Sequence, residues 1–323
     1  MTQKDSEPKN SDRKTRITVL VALAANLVIV VAKAVGGLLA GSPALLSEAA
    51  HSVADSLNEV FLLAALKRSK KPADKQHPFG YGKERFFWSL LAAVGIFVMG
   101  GCFSFFQGYE ALTSTSEESH SGYAVGLVVL AVALLAEASS LIRAVHQVRK
   151  DPGSQGVKDP ALRTVVAEDG TAVVGVSFAI VGMAMHMATG SALWEAGASF
   201  AIGALLMVIA FRLGADTRAQ LIGEAADPRT RERVEAVLEK QSEIHNVDML
   251  LTMQLGMDST LVAARVDLVP GLESEQLELV SERIKASIKE AVPEADQIFL
   301  DITEAPVPKG ATEAPATKTA AGQ

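Results

Sequence analysis

Residues 17–40 read ITVLVALAANLVIVVAKAVGGLLA, an apolar run interrupted by a single charge, Lys33. An α-helix crosses a bilayer core in about 20 such residues, so this stretch is long enough to span one. Runs of the same kind recur at 43–66, 86–109, 122–146, 161–187 and 191–213, which makes six spans. The chain as a whole agrees: its 323 residues are 49% hydrophobic and only 21% charged, with a mean hydropathy of +0.25. That balance excludes a disordered chain and fits an ordinary soluble enzyme poorly. The expected fold class is an α-helical membrane protein with six transmembrane helices, followed by a small α+β domain.

The loops orient the spans. Lys4, Lys9, Arg13, Lys14 and Arg16 precede the first span, seven Lys and Arg lie between Lys67 and Arg85, and Arg143, Arg149, Lys150, Lys158 and Arg163 surround the fourth connection. The alternate loops at 41–43, 113–122 and 188–191 contain no Lys or Arg. The excess of basic residues marks the cytoplasmic side, which places both termini there; in a bacterium the membrane would be the inner one. No cleavable signal peptide is expected, because the first sixteen residues are polar and the first apolar run is too long for an h-region. The single Cys102 lies inside an apolar run. It excludes a disulfide framework or a cysteine zinc site and reads as a buried packing residue.

Beyond residue 213 the composition changes. Residues 214–304 hold 19 acidic and 9 basic side chains. A helix is predicted over 228–241, with Pro228 at its start, and alternating strands over 247–255 and 260–268. A second helix over 273–291 sets Leu277, Val280, Ile284 and Ile288 three or four residues apart, and a last strand covers 297–302. The order αββαβ suggests helices on one face of a small sheet. Residues 1–16 and 305–323 are read as disordered ends, leaving 17–213 as the membrane domain and 214–304 as the soluble one.

The informative residues are ionisable groups inside spans, each of which costs about 2.5–3.5 kcal/mol at a helix centre on insertion scales. In the second span Glu48, His51, Asp55 and Glu59 recur every three or four residues, and His51 and Asp55 project from one face. The fifth span holds Glu168 and Asp169, the fourth Glu137, and the first Asn26 and Lys33. Glu137 and Lys33 read as hydrogen-bonding links between helices. An imidazole with two carboxylates suits zinc, manganese, iron(II), cobalt or nickel. Neutral His51 with ionised Asp55 and Asp169 balances a divalent ion to zero. Without metal the same groups could take up protons, so metal and protons would compete, as exchange requires. Glu48 and Glu59 read as entrance or exit groups, as interfacial solvated ones, or, with Glu168 and Asn26, as auxiliary metal or proton groups.

Several segments resemble the cation diffusion facilitator family of divalent-metal/proton antiporters. They are GSPALLSEAAHSVADSLNE at 41–59, KPADKQHPFGYGKERFFWSL at 71–90, DPALRTVVAEDGTAVVG at 159–175 and AQLIGEAADP at 219–228, and the likeness runs over about 17–304. The acidic form of the third segment is most similar to the branch containing zinc transporter 9. The resemblance implies a homodimer in the lipid bilayer, six transmembrane helices and a cytoplasmic ferredoxin-like domain. It implies a metal site at His51, Asp55 and Asp169. The fourth family ligand falls on Val173, so Glu168, Asn26 or water would complete the shell. A secondary site falls on Asp74 and His77, with Tyr81 in its third position. The paired-metal positions of the soluble domain fall near Asp248, Arg265 and Leu300, of which Arg and Leu cannot ligate. Lys83 matches a lysine that pairs with an acid at the membrane edge, here Glu224 or Asp227.

The expected function is export of a divalent transition metal, zinc foremost, in exchange for protons. The rivals are manganese, iron, cobalt or nickel as cargo, or a membrane scaffold that does not transport. No covalent chemistry, resident cofactor, nucleic acid or ATP is implied: GYGKER at 80–85 is a basic loop and not a phosphate-binding one.

Overall fold

The computed structural model describes residues 8–113, 120–150, 160–257 and 259–304. The expected 305–323 tail and part of the expected N-terminal segment lie outside the described residues. The chain divides into two compact units. The first runs up to Lys71 and resumes over Glu84–Leu221; the second comprises Pro72–Lys83 and the chain from Ile222. The division therefore falls eight residues beyond the expected one, because α7 continues past Leu213 through polar but helix-compatible residues.

The helical unit contains α1 (Pro8–Ala40), α2 (Pro43–Arg68), α3 (Glu84–Gly95), α4 (Phe103–Thr113), α5 (His120–Lys150), α6 (Pro160–Thr189) and α7 (Leu193–Ile222). α1 begins at Pro8, inside the segment expected to be disordered, since the Lys- and Arg-containing stretch before residue 17 propagates the helix. α2 starts sharply: Ser42 accepts a hydrogen bond from the Leu45 N–H and Pro43 occupies the first turn. α3 and α4 form one continuous rod through a π-helical stretch, Ile96–Cys102, that periodicity did not announce. Gly101 and Gly203 allow this rod to press against α7, where a Cβ on Gly203 would stand 2.6 Å from the Phe105 ring.

Four helices among the described residues are long and apolar enough to cross a membrane: Glu84–Thr113, Gly122–Arg143, Asp169–Thr189 and Leu193–Ile222. α1 contributes a shorter apolar stretch, Asn26–Ala40. α2 is long enough, but its charged stripe lowers its hydropathy. The unit's interior is built from Leu45, Leu130, Val176, Met183, Ile202 and Leu206, while Val28, Leu38, Phe106, Leu135 and Phe211 face outward. An outward apolar surface is the arrangement lipid solvates, and Cys102 belongs to it. The cysteine is exposed rather than buried, because in a membrane unit an apolar side chain gains nothing special by turning inward.

The second unit follows the order α8 (Pro228–Glu239), β1 (Ile244–Gln254), β2 (Thr260–Leu268), α9 (Ser274–Ala291) and β3 (Gln297–Glu304). β2 is central, antiparallel to β1 and parallel to β3. Alternation decides its faces. Val262, Ala264 and Val266 point into a core shared with Val234, Leu238, Ile284 and Ile288, whereas Leu251 and Phe299 are exposed. Asp227 caps α8 by accepting the Arg229 N–H at 2.8 Å.

Candidate metal site in the helical unit

α2 carries the chemistry at helical spacing, and α1, α5 and α6 supply what faces it. His51 is 3% exposed and Glu48 fully buried. His51 Nδ1 lies 3.4 Å from Glu48 Oε1, and Nε2 lies 3.5 Å from Asp55 Oδ2. The imidazole thus bridges the carboxylates one turn below and one turn above it. Gly175 of α6 lets this stack approach closely, since a Cβ there would sit 3.2 Å from His51 Nδ1.

Glu48 is not an uncompensated anion. Lys33 of α1, itself buried, places Nζ 3.0 Å from Glu48 Oε2 and 2.8 Å from Ser52 Oγ. The pair neutralises itself, so Glu48 can hold the His51 ring without adding charge to a bound cation. Asp55 is the open end of the stripe, its side chain 41% exposed, and it lies within electrostatic reach of Asp169. One turn further along α2, Glu59 Oε1 accepts from Asn26 Nδ2 at 2.8 Å. Glu137 of α5 feels the charges of Lys33 and Asp55.

Two carboxylate oxygens in this region, Asp169 Oδ2 and Glu59 Oε2, are buried with no hydrogen-bond partner among the described residues. Buried polar atoms are nearly always paired, so such oxygens are available to a cation or a proton. The set is not a closed cage: no three His, Cys, Asp or Glu among the described residues converge on one point. His51 and Asp55 meet, Asp169 on α6 lies within electrostatic reach of Asp55, and the Glu168 side chain lies outside what is described. Neither the Lys33–Glu48 pair nor the Gly175 approach was visible in the sequence, although a charged Lys33 inside an apolar run was a signal that some acid had to meet it.

The remaining candidates lie in the second unit. Asp74 accepts the N–H groups of Gln76 and His77 at 2.9 and 2.8 Å and the Tyr81 hydroxyl at 2.6 Å. The tyrosine hydroxyl, followed by the backbone donors, holds the Asp74 carboxyl down at about 2. These bonds shape a turn around His77, whose ring lies tilted against Tyr81 with centroids 4.2 Å apart. Lys83 Nζ lies 3.8 Å from Met253 Sδ, and the Glu224 carbonyl accepts the N–H of the adjoining Gln254.

On the sheet, Arg265 Nε donates to Asp301 at 2.7 Å, Asp248 accepts from Asn246 at 2.7 Å, and Leu300 packs on the core. A cation there would meet a guanidinium. Calorimetry on residues 222–304 at physiological ionic strength is expected to show no zinc site tighter than about 10 μM, near −7 kcal/mol. A tight two-metal isotherm would show that His245 and Asp248 have rebuilt such a site.

Helices with an outward apolar surface and a buried imidazole–carboxylate stripe define a helical membrane-transporter domain, here joined to a small sheet domain. Residues 19–222 match the profile of the cation efflux transmembrane domain. The chain belongs to the cation efflux, or cation diffusion facilitator, family. It is 30% identical over 266 residues to metal tolerance protein C4 of Arabidopsis thaliana, covering 80% of this chain and 58% of that one. It is 29% identical over 259 residues to the mitochondrial proton-coupled zinc antiporter SLC30A9 of Homo sapiens, covering 77% and 45%. Magnetosome protein MamB of Paramagnetospirillum magneticum is 24% identical over 294 residues, covering 88% of this chain and 93% of its own. The chain thus spans about half the length of the first two relatives.

Proposed function

We propose that this protein exports a divalent transition-metal ion, zinc foremost, from the cytoplasm in exchange for protons. The observation that carries the reading is buried His51, held between Glu48 and Asp55, with Asp169 of α6 within electrostatic reach of Asp55. With its Nδ1–H donated to Glu48, the ring presents the Nε2 lone pair on the Asp55 side. An outer carboxylate orienting a ligating imidazole is a recurrent device of zinc sites. The ion takes His51, Asp55 and Asp169, and its charge is balanced because Lys33 already neutralises Glu48. Glu168, Asn26 or water completes the shell at the position where Val173 has no donor. Proton coupling follows from competition for the same atoms. The human relative's description as a proton-coupled zinc antiporter supports the same cargo and counter-ion.

In this reading α1, α2, the α3–α4 rod, α5, α6 and α7 are the six membrane spans, with both termini in the cytoplasm. The αββαβ unit is a ferredoxin-like domain whose exposed sheet face pairs two copies into a homodimer, and Lys83 with Glu224 is the charge pair at its membrane edge. Helices rock around a fixed site to give alternating access.

Metal uptake into inside-acidic proteoliposomes is expected to exceed uptake into pH-matched ones and to discharge the proton gradient. Each pH unit supplies about 1.4 kcal/mol per proton, a tenfold accumulation at one-to-one exchange. Uptake indifferent to the gradient would leave a uniporter or channel. No uptake at all would leave a scaffold, and competition by manganese, iron, cobalt or nickel over zinc would reassign the cargo.

A further inference from the structure

A second polar cluster is buried at the other end of the helical unit, about 25 Å along α6 from Asp169 at 1.5 Å per residue. Glu195, in the first turn of α7, is 1% exposed. Its Oε2 accepts the Ser42 hydroxyl at 2.6 Å and the Ala44 N–H at 3.4 Å, both at the N-terminus of α2. Its Oε1 has no hydrogen-bond partner among the described residues and lies 3.9 Å from Nδ1 of His186, which is 4% exposed near the end of α6. The imidazole stacks on Tyr123 of α5, ring centroids 5.4 Å apart.

We propose that His186 and Glu195 form a second proton-binding site, on the exit side of the helical unit, with Ser42 and the α2 N-terminus holding the carboxylate. The exit side is assigned by the adjoining loops, 41–43 and 188–191, which contain no Lys or Arg. A proton arriving from that side binds the His186 imidazole. The imidazolium N–H then closes on Glu195 Oε1 as a charge-assisted hydrogen bond, reached by a shift of about 1 Å. Among the described residues, the titratable groups in contact at the cluster include Tyr123 from α5, His186 from α6 and Glu195 from α7; α2 contributes a hydroxyl and a backbone N–H.

A divalent metal suits the cluster less well. One carboxylate oxygen is committed to α2, and one imidazole with one remaining oxygen falls short of the four donors zinc takes. The position matters because α2 carries His51 and Asp55. Protonating His186 tightens a link from α6 and α7 to the end of the helix that holds the metal site, so external protons would close the exit. That role rests on the exchange reading above; the existence of the proton site does not.

Trp194 adjoins Glu195, and the only other tryptophan is Trp88. In a Trp88→Phe background, emission from Trp194 in the metal-free full-length protein is expected to change in a transition as the pH is lowered. His186→Gln is expected to remove that transition. Absence of the transition in the background protein, or its survival unchanged in His186→Gln, would overturn the proposal and leave Glu195 as a structural tie between helices. In proteoliposomes, His186→Gln is expected to weaken the stimulation of uptake by exit-side acid, leaving the part that competition at the metal site supplies, while keeping the response to pH on the cytoplasmic side; an unaltered exit-side response would overturn the coupling role. If the unsubstituted protein moves no metal, the exchange reading fails, and the fluorescence titration still decides the site.

Discussion

Asp55→Asn and Asp169→Asn are each expected to abolish metal uptake in proteoliposomes while leaving a folded, membrane-inserted protein. The amide preserves the size of the side chain and removes the charge. Because Lys33 already offsets Glu48, the aspartates on α2 and α6 are the proposed ligands whose two charges balance a divalent ion, and losing either leaves one positive charge of the ion without its ligand anion. Even outer-shell groups of metal sites are worth 10–100-fold in affinity, so loss of a ligand should lower uptake by about a hundredfold or more. Equal yield and an unchanged helical signature would assign the loss to the site rather than the fold. Flux at the unsubstituted rate in either variant would remove that residue from the site. His51→Asn should weaken transport and change the metal order, because nitrogen ligation favours the later transition metals.

Lys33→Met is expected to destabilise the helical unit by about 3–5 kcal/mol, the usual effect of removing one partner from a buried ion pair. The ammonium is 1% exposed and bonded to Glu48 and Ser52, so the substitution strands an anion beside His51. Glu48→Gln strands the cation and should have a similar effect. The double variant Lys33→Met/Glu48→Gln leaves no unpaired charge and should recover most of the loss. Unfolding of the four proteins in detergent gives the coupling energy directly. Additive losses would mean that the two side chains do not form a pair. Recovery of stability without recovery of transport would separate the pair's structural contribution from its hold on the His51 ring.

The polar stripe of α2 was legible because helical spacing alone puts Glu48, His51, Asp55 and Glu59 on neighbouring faces, and apolar surroundings make each charge conspicuous. The order of helices and strands in the second unit was legible for the same reason, since Pro228, alternating Val262–Val266 and the spacing of Val280, Ile284 and Ile288 are local signals. The π-helical Ile96–Cys102 stretch was not, because an extra residue in one turn leaves an apolar segment looking apolar. Cys102 was misplaced by a rule suited to water, in which burial is the default for a small apolar side chain. In a bilayer the outside is apolar as well, and hydrophobicity ceases to distinguish inside from outside.

Residue order along the chain determined which side chains share a helix face, which loops carry positive charge and where a charge has no local partner. Those are properties of separation by three, four or two residues, and the geometry of a single helix or strand settles them. Tertiary structure alone decided the partners: that Lys33 meets Glu48 across two helices, that Gly175 brings α6 against His51, and that Glu195 closes on Ser42 from 153 residues away. Periodicity states which face of a helix is polar but not which neighbour that face will meet. That is set by how the helices pack, when every buried charge must find its complement at once.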